Sequence, residues 1–207
     1  MKDPTLGRVE AFSDGVFAIV ITLLILELRA PEGLTSDAAL GLALRERWPS
    51  YLAFGISFAT VGIMWINHHR LFRWIHRSDN ILLLLNLLLL LAVTIVPFPT
   101  ALLATYLGRP GEQTATLVYT GAGLGIAIAF NLLWRYAAAG DRLLGKELKH
   151  PQVRAISRSY VFGPVLYLVA TALALWNVYA AVGVTFALAL FFALPPERVI
   201  RGYGNPT

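Results

Sequence analysis

The 207-residue chain has no cysteine. That excludes disulfides, thiolate metal sites, iron–sulfur clusters and cysteine nucleophiles. Charge is scarce as well: Asp, Glu, Lys and Arg make up 14% of the residues, against roughly a quarter in an average soluble domain. Catalytic signatures are missing. There is no His-Glu-x-x-His, no Gly-x-Ser-x-Gly and no P-loop, and the few acids are scattered near the ends of apolar runs. An enzyme is not expected, and neither is a cofactor or a resident metal. No low-complexity linker separates a second domain. The first apolar run lacks both a strong basic lead and a small-residue cleavage site, so it is expected to be retained rather than cleaved as a signal peptide.

What the chain does have is apolar sequence in long runs. Apolar residues make up 57% and the mean hydropathy is +0.65. A soluble globule, a disordered chain and a coiled coil all fit poorly. A membrane-crossing helix needs roughly 20 mostly apolar residues. The runs predict an all-α polytopic protein, a single domain over 1–207 with six spans, at about 8–29, 50–69, 80–104, 114–136, 155–176 and 178–195. The last two share one apolar run over 161–194, with a tight turn expected at Trp176-Asn177. With the N-terminus inside, thirteen Lys and Arg residues fall on cytoplasmic segments. Only Arg29, Arg45, Arg47 and Arg109 fall outside. This split predicts both termini in the cytoplasm and a multi-pass protein of the inner (plasma) membrane. The net charge of +5 then reflects topology, not nucleic-acid binding.

The first span is unusual in its polar content. Arg8, Glu10 and Asp14 lie in its first two turns, and ionisable groups at a membrane usually face protein or water. One reading is that Ser13 or Asp14 caps the helix. The other is that they meet the polar cluster Trp65-Ile66-Asn67-His68-His69-Arg70, which ends the second span at the same depth; that cluster read alone is an aromatic and basic interface anchor. His68 and His69 are adjacent, about 100° apart on a helix, so they do not share a ligand face. Asn86 and Asn131 are each expected to make an interhelical hydrogen bond. Gly121 and Gly125 are expected to admit a neighbouring helix, and Pro97-Phe98-Pro99 to end or kink the third span. Thr120-Gly121-Ala122-Gly123 is not a potassium filter of the Thr-Val-Gly-Tyr-Gly type, and no re-entrant loop surrounds it.

Arg8-x-x-x-Phe12-Ser13-Asp14-Gly15-Val16-Phe17-Ala18-Ile19, followed by Thr22-Leu23-Leu24, strongly resembles the first-helix signature of bacterial members of the transmembrane protein 175 family. The 65–70 cluster, Asn86-Leu87-Leu88-Leu89 and Pro97-Phe98-Pro99-Thr100-Ala101-Leu102 resemble that family's second and third helices. The resemblance implies a potassium-permeable channel without a filter loop, assembled as a homotetramer in the lipid bilayer, with potassium as its permeant ion. It implies a central pore lined by the first helix, with Ile19, Thr22, Leu23 and Leu26 at the constriction and selecting surface. It also implies a supporting network of Arg8, Phe12, Ser13, Asp14, Trp65, Asn67 and His68. Helical spacing agrees independently, since positions 15, 19, 22 and 26 share one stripe. Two other readings stand beside it. One is a small proton- or cation-coupled transporter titrating Asp14 and His68; the other is a membrane packing protein that transports nothing.

Overall fold

The computed structural model describes residues 3–145 and 150–193. Eight helices follow in order: α1 (Pro4–Leu23), α2 (Asp37–Glu46), α3 (Trp48–Trp74), α4 (Asn80–Thr94), α5 (Pro97–Tyr106), α6 (Glu112–Ala138), α7 (His150–Leu173) and α8 (Val178–Ala193). A 3-10 turn over Leu24–Glu27 prolongs α1. Among the described residues, five segments are long and apolar enough to cross a bilayer: Pro4–Glu27, Trp48–Trp74, Asn80–Tyr106, Glu112–Asp141 and Ile156–Leu173. The sixth, α8, is apolar and has 16 residues, about 24 Å of helix. Residues 194 and 195, expected in the last span, lie outside the described residues.

The third span is one crossing in two pieces. Pro97 has no N–H, so the regular ladder cannot continue through it. Val96 N–H bonds Val93 O and Phe98 N–H bonds Ile95 O, each at 3.0 Å. These tighter bonds carry the chain from α4 into α5, so the Pro97-Phe98-Pro99 segment interrupts the ladder without ending the span. Between α7 and α8, Asn177 Oδ1 accepts from Ala180 N–H at 2.9 Å and opens α8.

Two expectations about local structure are corrected. Neither Ser13 nor Asp14 caps α1. The cap is Asp3, whose carboxylate accepts from Thr5 N–H at 2.8 Å, with Pro4 in the first turn, where no N–H is needed. And Gly121 and Gly125 have open space where a Cβ would stand. The close approach on α6 is at Gly123, where a Cβ would lie 2.8 Å from the Tyr167 ring of α7. The same pair of helices is joined by Asn131 Nδ2–H donating to Tyr160 O at 2.7 Å and by Trp134 Nε1–H donating to Ser157 Oγ at 2.9 Å. The ten-residue α2 was not expected. Ser36 caps it and none of its residues is buried.

At the end of the bundle holding residue 3, three segments are stitched together. Ile75 pairs with Leu144, His76 N–H donates to Leu143 O at 2.8 Å, and Asp3 N–H donates to His76 O at 3.0 Å. The Asp3 carboxylate also accepts from the Ser78 hydroxyl and N–H. The Ser78 hydroxyl, then Thr5, hold the Asp3 carboxyl below its ordinary pKa. A depressed folded pKa contributes stability that is complete above the unfolded value and is lost as pH falls through the folded one. Asp3→Asn is therefore expected to weaken the acid dependence of stability below about pH 4. Thermal unfolding of the detergent-solubilised protein across that range checks it, and identical acid limbs would contradict it.

The first helix and its supporting network

Helix α1 has two opposite faces. Leu6, Ser13, Phe17, Val20 and Leu24 are buried, at spacings that keep them on one stripe. Phe17 sits at the centre of the core with Phe72, Leu82, Leu89 and Leu133. The opposite stripe carries Arg8, Phe12, Gly15, Ile19, Thr22 and Leu26, all exposed. Phe12, Ile19 and Leu26 keep 58%, 60% and 65% of their surface, and Leu23 beside them keeps 39%. The Thr22 hydroxyl donates to Ile19 O at 2.8 Å. Its proton is thereby used on the backbone, and its oxygen lone pairs stay free on the exposed face.

Two helices hold α1 through one amide. Asn86, on α4, donates its Nδ2–H to Ser13 Oγ at 3.0 Å, and Ser13 donates in turn to Val9 O at 2.8 Å. Asn86 Oδ1 lies 2.9 Å from His68 Nε2 on α3. An amide oxygen only accepts, so His68 carries its proton on Nε2. The ring is clamped between Phe72, stacked at 4.4 Å, and Phe17, tilted at 5.5 Å. Ser13, His68 and Asn86 are all buried. A second bond lies nearer the surface: Trp65 Nε1–H donates to Asp14 Oδ1 at 2.8 Å.

Of the residues expected to support the first helix, the fold pairs Asp14 with Trp65 and links Ser13 to His68 through Asn86. Asn67 goes elsewhere. One position before His68, it is turned about 100° away; there it accepts weakly from Arg70 at 3.4 Å and lines a cavity between α3, α6, α7 and α8. Arg8 and Phe12 stand on the exposed stripe, and Arg8 has no hydrogen bond among the described residues. Asn86 is the member that sequence reasoning left out of the network, although it is the one amide in a leucine run. A second buried set was not anticipated at all. Ser57 Oγ lies 2.8 Å from Thr100 Oγ1 and 3.1 Å from Tyr119 Oη, joining α3, α5 and α6.

Residues 8–97 match the family described as endosomal/lysosomal potassium channel TMEM175. A potassium channel of Chamaesiphon minutus is 53% identical over 189 residues, 91% of this chain and 93% of that protein. The chain belongs to the TMEM175 family. A potassium channel of Streptomyces collinus is 41% identical over 90% of both chains. The fold agrees with the crystal structure of a lysosomal potassium-selective channel TMEM175 homolog from Chamaesiphon minutus: the TM-score is 0.84 at 47% identity, covering 98% of this chain and 100% of that one. A vertebrate TMEM175, the endosomal/lysosomal proton channel of Bos taurus, is 35% identical over 163 residues, and the match spans only 33% of its length. Like these relatives, this TMEM175 chain is a multi-pass membrane protein.

Proposed function

We propose that this TMEM175 chain is a potassium-permeable channel of the inner membrane, with α1 from each of four subunits lining a central pore. The observation that carries the reading is the exposed stripe of α1, which is apolar at Phe12, Ile19 and Leu26 and lies directly opposite the stripe that the fold buries. A helix fixed along one side by Asn86 presents its other side reproducibly, as a pore wall must. The potassium-channel names of the bacterial relatives support the same conclusion. The basic residues gathered on one set of connecting segments support cytoplasmic termini.

In this arrangement the rings of Ile19, Leu23 and Leu26 form a hydrophobic neck that can close by dewetting. Four Thr22 oxygens, their protons tied to Ile19 O, offer lone pairs to a passing cation. Four hydroxyls replace only part of a hydration shell, so the preference for potassium over sodium is modest. Rings of Asp14, midway along Pro4–Glu27, and of Glu27, at its far end, raise the local cation concentration. A carrier titrating Asp14 and His68 is less well supported, because the two are engaged separately, Asp14 by Trp65 and His68 by Asn86.

The test is flux from potassium-loaded vesicles containing the purified protein, with sodium and proton gradients as controls. Fast, non-saturating potassium flux is expected, and tightly coupled or absent flux would contradict a channel. Thr22→Val keeps the shape and removes the oxygens. The potassium-to-sodium permeability ratio should fall severalfold, and an unchanged ratio would remove Thr22 from the selecting surface.

A further inference from the structure

Behind the helices that hold α1, a cavity of about 70 Å³ lies between α3, α6, α7 and α8. We propose that it binds a small neutral solute bearing one hydrogen-bond acceptor oxygen, and that its occupancy acts on α1 through α3. The size sets the class. A water needs about 10–15 Å³ of such space, so its enclosed part holds several waters or one molecule of a few heavy atoms. Among the described residues no Asp, Glu, Lys, Arg or His lines it; Arg70 stands beside it, but its guanidinium is already bonded to Asn67 Oδ1 and Ala193 O. Most of its wall is apolar, with Met64, Phe130 and Phe192 prominent.

The polar groups on its wall are donors waiting for an acceptor. Tyr160 stacks its ring on Trp134 at 5.7 Å, and Tyr167 presses its ring on Gly123. Neither phenol has a hydrogen-bond partner among the described residues, although Tyr167 is buried. Asn67 Oδ1 faces Arg70, which leaves its amide N–H groups for the cavity. The Thr60 proton is spent on Ile56 O at 2.7 Å. These donors are unpaired and reachable from the cavity, so an acceptor oxygen placed among them gains hydrogen bonds.

The link to α1 is the geometry of α3. Thr60, Ile63, Met64 and Asn67 face the cavity at i, i+3, i+4 and i+7. On the neighbouring face, Trp65 bonds Asp14 and His68 bonds Asn86. A molecule seated against α3 therefore bears on the element that fixes the first helix.

2-Bromoethanol tests both parts, because its bromine is located by anomalous scattering. In crystals grown with it, a bromine peak is expected inside this cavity. Tyr160→Phe combined with Tyr167→Phe keeps the shape and removes two donors, so the concentration for half occupancy should rise about tenfold. Ala189→Leu fills the space and should abolish the peak. Ordered water alone in the wild-type cavity would overturn the site, and equal occupancy in the double phenylalanine variant would overturn recognition through the hydroxyls. These readouts need no ion flux, so they stand apart from the channel reading. The coupling rests on that reading and is tested in vesicles. 2-Bromoethanol should change wild-type potassium flux at least twofold and leave Ala189→Leu unaffected. Unchanged wild-type flux with the cavity occupied would overturn the coupling.

Discussion

Ile19→Asn is expected to raise basal potassium flux at least tenfold at matched protein density. Ile19 is 60% exposed on α1, on the stripe it shares with Gly15, Thr22 and Leu26. Four isoleucines around an axis make a dry ring, whereas four asparagines hydrogen-bond to water and remove the dewetting barrier. Discrimination between potassium and sodium should not improve, because a wet ring lets hydrated ions pass. Leu84→Asn, an exposed leucine of α4, is the control for a polar group placed on an apolar surface. If the Ile19 variant assembles normally and conducts like wild type, Ile19 is not at the constriction. A coupled carrier gives a different outcome again, since a leak would abolish its gradient-driven uptake.

Asn86→Leu is expected to cost the most stability for its change in volume. The substitution removes the acceptor of His68 Nε2–H and the donor to Ser13 Oγ in one step. All three residues are buried, and water cannot replace the lost partners. A stranded buried donor costs about 1–3 kcal/mol. His68 loses its only hydrogen bond among the described residues, while Ser13 keeps its bond to Val9 O. A loss of about 2 kcal/mol is expected, most of it from the imidazole. Ser13→Ala should cost about half as much, since it strands only one Asn86 N–H. Thermal unfolding and oligomer yield in detergent measure both. An Asn86→Leu variant as stable as wild type would show that packing, and not this amide, fixes α1.

The membrane spans were legible because a run of 20 apolar residues has few alternatives. Smaller features were legible only where a local signal was unique. α2 was not, because ten residues are too short for a span and its apolar positions are buried against nothing. The start of α1 was misplaced because Ser13 and Asp14 border the apolar run and imitate a cap, whereas the real cap, Asp3 before Pro4, lies about three turns earlier. The supporting network was legible in part. Its residues could be named from the two polar clusters, but rotation about α3 separates Asn67 from His68, and no single-position pattern reports that rotation. The glycines of α6 make the same point. The i, i+4 pair Gly121 and Gly125 looks like a packing motif, yet Tyr167 meets Gly123, two residues from each, and only the phase of α6 against α7 decides it. The Ser57, Thr100 and Tyr119 set comes from three helices, and each hydroxyl alone is unremarkable in its span.

The pore assignment of α1 is tested most directly by single cysteines in a chain that has none. Thr22→Cys and Leu26→Cys place thiols on the exposed stripe, and Leu84→Cys places one on an exposed part of α4. Silver ions, which pass through potassium-permeable pores and bind thiolates, would be added during potassium efflux from vesicles. Efflux through Thr22→Cys and Leu26→Cys should stop irreversibly, while wild type and Leu84→Cys continue unchanged. Undiminished efflux from Thr22→Cys and Leu26→Cys channels whose thiols are shown to be silver-bound would mean that ions cross this protein somewhere other than along its first helix.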